Sequence, residues 1–170
     1  MKRYRLGLEM SDPDDKVRVV ERFLRENGVD FEILWHRECD GRTSSEAARA
    51  WGTTVDKVIK SLILLDRRGE ALMVLVQGDR RLDLKRTELL TNRSGLRLGR
   101  PDEVLQLTGF NVGGIPPIDL ESKMQVVVDE GLTELDWAFG SAGSPYAGLK
   151  IGPMDLVRLN NAVVGQVVEK

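Results

Sequence analysis

The chain has 170 residues, 41% of them hydrophobic and 31% charged, with a formal net charge of -2. This balance predicts one globular domain over residues 1–170, with 1–30 as an N-terminal helical segment, and excludes both wholesale disorder and nucleic-acid binding by bulk positive charge. The single cysteine, Cys39, excludes an internal disulfide and a Cys-rich zinc site, and the longest apolar run, Ala71 to Val76, is far short of the ~20 residues of a membrane helix.

The opening Met1-Lys2-Arg3-Tyr4-Arg5 lacks the apolar core of a signal peptide, so the expected compartment is the cytoplasm, away from membranes. Asp12-Pro13 then predicts a helix start: the carboxylate can accept from free amides, and proline fits a first turn where its missing N–H costs nothing. Val17, Val20, Phe23 and Leu24 share one helical face, and Gly28 ends the run. Phe31 to Trp35 reads as a strand. Thr43-Ser44-Ser45-Glu46 has capping-box spacing, which predicts a second helix carrying Ala47, Ala48 and Trp51 and stopping at Gly52.

Val58–Leu65 and Leu72–Val76 read as a hairpin turning at Arg67-Arg68-Gly69-Glu70. Both runs are apolar on nearly every residue, the pattern of strands covered on both faces, in mid-sheet or in a closed barrel wall. Helices are expected over Asp83–Leu90 and Pro101–Leu107, the second ended by Gly109. Strands are expected at Gln125–Val128, Trp137–Phe139 and Val163–Val168, with a short helix from Pro153. Strands and helices mix without a strict alternating rhythm, so the expected class is mixed α/β.

Charge is uneven along the chain. Seven Lys or Arg lie between Arg80 and Arg100 against two acids, Asp83 and Glu88, while Asp119 to Asp136 holds six acids and only Lys123. Arg80, Arg81, Lys85 and Arg86 are candidates for a phosphate backbone; the same pattern also describes a solvated helix face.

Lys60 interrupts an apolar strand, and a period of two puts it on the face of Val58, Leu62 and Leu64. Such a lysine either snorkels to water or finds a partner, and burial presses its pKa downward. Gly113-Gly114-Ile115-Pro116-Pro117 pairs glycines that allow close backbone approach with prolines that stiffen the loop. N–H groups held this way can stabilise an ester carbonyl or oxyanion, although an ordinary Gly/Pro connection has the same composition. Gly140-Ser141-Ala142-Gly143-Ser144-Pro145 offers space and the hydroxyls of Ser141 and Ser144, or else a flexible turn. It is no P-loop, since no Gly-Lys-Ser/Thr follows.

His36 and Cys39 have metal-like spacing, but two ligands do not close a site, and no orienting group for a Cys–His nucleophile is evident. Neither a metal nor a cofactor is expected. Asp129, Glu130 and Asp136 are acids near strand ends; one can pair with Lys60 or grip a substrate ammonium, and solvated strand-end acids are the other reading.

In order along the chain, these features resemble the YbaK and prolyl-tRNA synthetase editing-domain family over roughly Phe31 to Val168. The resemblance rests on Thr43-Ser44-Ser45-Glu46-Ala47-Ala48, Val58-Ile59-Lys60-Ser61-Leu62 and Val76-Gln77-Gly78-Asp79-Arg80-Arg81-Leu82-Asp83. It continues through Glu103-Val104-Leu105-Gln106-Leu107-Thr108-Gly109-Phe110, the Gly113–Pro117 loop, Val128-Asp129-Glu130 and Ser141-Ala142-Gly143-Ser144.

The resemblance implies a curved mixed sheet or pseudo-barrel flanked by helices. It implies hydrolysis of mischarged aminoacyl-tRNA by water, without metal or covalent intermediate, and tRNA as partner, with an aminoacyl-tRNA synthetase as a second. The lysine strand and the GxxxP loop bound the implied site, with Lys60, Gly113 and Gly114 catalytic and Ser61, Asp129, Ile115, Pro116, Pro117, Ser141, Gly143 and Ser144 binding substrate. Synthetase-borne editing domains often carry a histidine near the position of Ser144; here His36 is the only histidine, a departure from their alanine-clearing pattern. The alternative function is a non-catalytic module that binds aminoacyl-tRNA or a synthetase.

Overall fold

The computed structural model describes residues 12–36, 43–120 and 123–170. Helix α1 (Pro13–Glu26) starts as its sequence dictates, with the Asp12 carboxylate accepting from Asp14 N at 2.9 Å. Its apolar stripe of Val17, Val20, Phe23 and Leu24 is buried in the main core. Gly28, at φ +64°, reverses the chain into β1 (Phe31–Trp35). The Thr43–Glu46 capping box opens α2 (Ser44–Ala50), and a 3-10 turn (Val55–Lys57) leads to β2 (Ile59–Leu65) and β3 (Ala71–Gln77).

Next come α3 (Leu84–Thr91), β4 (Arg97–Leu98), α4 (Pro101–Thr108), β5 (Gln125–Asp129) and α5 (Glu130–Thr133). Strands β6 (Ala138–Ser144) and β7 (Ala147–Ile151), helix α6 (Pro153–Asn160) and β8 (Val163–Gly165) complete the described fold. One sheet is antiparallel, ordered β1-β7-β6; the other is mixed, ordered β4-β2-β3-β5-β8, with β3, β5 and β8 parallel. Val58 bridges to Phe139 and joins the two sheets just ahead of β2. The expected mixed α/β class holds, as two bridged sheets rather than a closed barrel.

The unbroken apolar runs of β2 and β3 have the predicted cause. Ile59, Ile63, Met73 and Leu75 face the core beneath α1, while Leu64, Leu72, Val74 and Val76 face a second core with Leu96, Val127 and Val167. Burying each such side chain contributes about 1.5–3 kcal/mol, so central strands covered on both faces anchor the fold. Lys60 falls on the second face, opposite Val76 and in line with Leu62 and Leu64. Val58 does not share it; it packs with Ala47 and Ala48 of α2.

Two expectations need correction, and one strand was not expected at all. β6 runs on through Ser144, so Ser141, Gly143 and Ser144 belong to a bulged strand rather than a turn. β7, which no sequence pattern marks, is the central strand of its sheet. β8 ends at Gly165, and beyond it Val168 makes only an isolated bridge to Leu82.

Candidate active site

A cavity of about 290 Å³ opens at the start of β2, between α2 and the Gly113 loop. Lys60, Ser61, Gly113, Ile115 and Ser141 all line it, so the structure brings together residues from three distant segments. Thr43, Ser44, Trp51 and Val112 complete much of the wall. In the sequence Thr43 and Trp51 show only as helix cap and core; their position beside the lysine strand emerges with the fold.

The loop is pinned at both ends. On one side Lys16 Nζ donates to Gly109 O at 2.8 Å and lies over the Phe110 ring. On the other, Asn160 Nδ2 donates to Pro117 O at 3.0 Å while its Oδ1 accepts from Asp119 N at 3.0 Å. The small residues of β6 let the loop lie close. A Cβ at Gly140 would stand 3.0 Å from Pro117 Cγ, and one at Gly143 (φ +102°) would stand 2.8 Å from Phe110 Cε1. The composition that looked like a flexible turn is therefore a packing requirement of the strand beneath the loop.

Within the loop the amides differ. Gly114 N donates to Asn111 O at 2.9 Å and is already used. The N–H groups of Gly113 (φ +88°) and Ile115 have no partner among the described residues, and both residues line the cavity. Pro116 and Pro117 lack an N–H and stiffen the loop instead. The hydroxyls of β6 serve the bulge: Ser141 Oγ accepts from Gly143 N at 3.1 Å, and Ser144 Oγ accepts from Tyr146 N at 3.2 Å. Ser61 Oγ and Trp51 Nε1, in contrast, are buried without a partner among the described residues. Unmade hydrogen bonds of this kind are costly and collect at functional sites.

Lys60 is half-buried, and its ammonium donates to the carbonyl of Arg80. Burial holds its pKa below the ordinary lysine value, with the nearby Asp79 carboxylate pulling the other way. No described Asp, Glu or His lines the cavity.

The sequence profile of the Aminoacyl-tRNA editing domain matches residues 38–159, which cover this cavity. The chain belongs to the aminoacyl-tRNA editing domain family. Among curated relatives, proline–tRNA ligase of Pseudothermotoga lettingae is 37% identical over 122 residues, 72% of this chain but 21% of the ligase. The uncharacterized protein YwhH of Bacillus subtilis is 27% identical over 129 residues, 72% of this chain and 82% of that protein. This editing domain thus spans about a fifth of the length of the ligase it matches. Among solved structures, the hypothetical protein APE2540 has a TM-score of 0.82 at 35% identity, covering 88% of this chain and 99% of that one. A proposed trans-editing enzyme for prolyl-tRNA synthetase gives 0.82 at 32% identity, with coverage of 91% and 98%.

Not every expected site residue of this editing domain lies at the cavity. Asp129 is 2% exposed and stands elsewhere: Oδ2 accepts from Gly131 N at 3.1 Å and Oδ1 from Val167 N at 3.0 Å. It is neither a solvated strand-end acid nor a partner of Lys60. Gly114, Pro116 and Pro117 back the cavity through the loop rather than lining it.

Of the cations counted by sequence, Arg93 is tied to Asp66 at 3.1 Å, and Arg97 and Arg100 share Glu103 at 2.9 and 3.1 Å. Arg86 pairs with Asp83 and Arg81 with Glu169, which leaves Arg80 and Lys85 exposed and without an ion pair among the described residues. The His36–Cys39 pair lies partly outside the described residues; His36 stands edge-on to Trp51, with ring centroids 6.2 Å apart. Among the described residues no helix is long and apolar enough to cross a membrane.

Proposed function

We propose that this editing domain hydrolyses, in trans, the ester that joins a wrongly attached amino acid to tRNA. The observation that carries the reading is a single cavity lined by Lys60 and by Gly113 and Ile115, whose N–H groups have no partner among the described residues. The aminoacyl end of the tRNA enters between β2 and the loop. The Lys60 ammonium contacts the terminal phosphate or ribose and fixes the ester in place. The carbonyl oxygen takes hydrogen bonds from Gly113 N and Ile115 N, water adds to the carbonyl carbon, and the bond to the ribose oxygen breaks. The products are the free amino acid and a tRNA whose terminal hydroxyl is restored.

With no carboxylate or imidazole among the described lining residues, the water is oriented by the substrate's own ribose hydroxyl or amino group. No covalent enzyme intermediate forms. The Ser141–Ser144 segment sets the size of the amino acid admitted, and the exposed Arg80 and Lys85 meet the tRNA backbone.

Deacylation of alanyl-, cysteinyl- and seryl-mischarged tRNA by wild type and by Lys60→Ala tests this directly. Loss of turnover in the variant supports the reading, and equal rates remove Lys60 from it. Ile115→Pro removes one oxyanion donor at a position without positive φ, and should cost about 10²–10³ in rate. Filter binding run alongside separates the alternative function: tRNA retention without ester loss in wild type identifies a binding module.

A further inference from the structure

Lys60 takes its position from the carbonyl of Arg80, so whatever fixes that carbonyl fixes the ammonium. One side of the turn around Arg80 is set by Gly78, whose N–H donates to Val58 O at 2.7 Å and whose missing Cβ would stand 2.7 Å from Val55 O. The other side is set by the segment after β8. Glu169 N donates to Arg81 O at 2.8 Å, Asp83 N donates to Val167 O at 2.7 Å, and Leu82 bridges to Val168. That segment hangs in turn on Asp129, whose Oδ1 accepts from Val167 N at 3.0 Å. Asp129 and Val167 are 2% and 0% exposed, so this junction is buried, whereas Glu169 is exposed.

We propose that Asp129 is a positioning residue for Lys60, acting through residues 166–169, which strap the Arg80 turn over the ammonium. A buried carboxylate is expensive unless both oxygens are bonded. Here they join the end of β5, the start of α5 and the strap at one point. The lysine is half-buried, so its ammonium needs the acceptor that the strap holds in place. A loosened strap lets the Arg80 carbonyl drift and the ammonium with it, toward water and toward Asp79. The proposal rests on the role given to Lys60 above, and its test has one arm that does not depend on catalysis.

Two variants of the full chain serve. Asp129→Ala removes the anchor. Glu169→Pro deletes one strap N–H at an exposed position and leaves the core untouched, so it decides the matter if Asp129→Ala fails to fold. The first arm follows the Lys60 Cε resonance through a pH titration, assigned with Lys60→Arg. The expected result is a midpoint moved up toward the ordinary lysine value in both variants, with faster amide exchange at Asp83. The second arm measures deacylation, where a misplaced cation should lower kcat by about tenfold to 10²-fold with KM little changed. If the Asp83 amide is released while the Lys60 midpoint stays at its wild-type value, the proposal is overturned. A wild type that deacylates nothing would defeat the functional reading instead, and the resonance arm would still decide the strap.

Discussion

The indole of Trp51 occupies the space that a side chain at position 148 would need. A Cβ built on Gly148 would stand 2.4 Å from both Nε1 and Cε2 of Trp51. Gly148 sits at the middle of its sheet, paired with Leu34 on one side and Ser141 on the other, so its bare backbone is the seat on which the end of α2 docks. That docking makes Trp51 a wall of the cavity.

Gly148→Ala should therefore dislodge Trp51. Overpacking of this kind costs typically 1–3 kcal/mol, here about 2 kcal/mol or more because a rigid ring rather than a flexible chain end must move. Urea unfolding monitored by tryptophan fluorescence measures the cost, and the native-state emission should shift because the Trp51 surroundings change. Deacylation should fall in the same variant. An unchanged emission spectrum with unchanged stability would mean that the wall yields freely.

Lys60→Met should separate stability from activity. In the folded chain the Lys60 pKa lies below its ordinary value because burial opposes the charged form. Below the folded pKa, therefore, the ammonium is carried at a penalty; above the unfolded value near 10.5 both states are neutral and the penalty is gone. Methionine keeps the stem without the charge. The variant is expected to unfold at an equal or higher urea concentration than wild type at pH 7, with the gap narrowing as pH approaches 10.5, while deacylation is lost. A destabilised Met variant at pH 7 would show that the bond to the Arg80 carbonyl outweighs the burial penalty.

The outer helices and the central hairpin were legible in the sequence because their signals are local. Asp12-Pro13, the Thr43–Glu46 box and the apolar runs of β2 and β3 each carry their cause within a few residues. Val58-Ile59-Lys60-Ser61-Leu62 and the Gly113–Pro117 loop stood out locally only as a cation in an apolar strand and a Gly/Pro connection, and entered the expected site through the family resemblance. β7 was not, since Ala147-Gly148-Leu149 shows neither alternation nor β-branching, and its glycine answers to Trp51, nearly a hundred residues earlier. Only the start of β6 was legible, as Trp137–Phe139; the rest read as a small-residue loop or turn because Gly140 and Gly143 answer to Pro117 and Phe110. Asp129 read as a substrate-binding or solvated strand-end acid because the amide it anchors, Val167, lies 38 residues on. The positive count of the Arg80–Arg100 segment likewise hid partners beyond it, among them Asp66, Glu70 and Glu103.

Glu103 should govern the acid limb of stability. Hydrogen bonds from Arg97, then from Arg100 N, hold its carboxyl down to about 2, below the ordinary 4.5. A depressed carboxyl contributes stability above its unfolded pKa and loses it as pH falls through the folded one. Wild type should thus exceed Glu103→Gln in stability above pH 4.5, and the difference should close between pH 4.5 and about 2. Thermal unfolding of both proteins across that window checks it. A nonzero difference that stays constant down to pH 2 would show that ionisation of Glu103 is not what supplies the stability.

Cations that meet the tRNA should be those the fold leaves available. Deleting a side chain that binds a phosphate should flatten the slope of log affinity against log salt by about 0.7–0.9, whereas deleting a cation engaged within the protein should leave it alone. Arg80 and Lys85 are exposed and have no ion pair among the described residues, so Arg80→Ala and Lys85→Ala should each flatten the slope. Arg93 is 18% exposed and held by Asp66 and Glu70. Its removal takes from Asp66 Oδ2 its one side-chain partner among the described residues, on a carboxylate that is 8% exposed, so Arg93→Ala should lower thermal stability and leave the salt slope at its wild-type value. Filter binding of aminoacyl-tRNA from 50 to about 200 mM salt reads all three variants in one experiment. A slope that responds to Arg93 and not to Lys85 would move the tRNA track away from the start of α3 toward the turn between β2 and β3, where Asp66 and Glu70 lie.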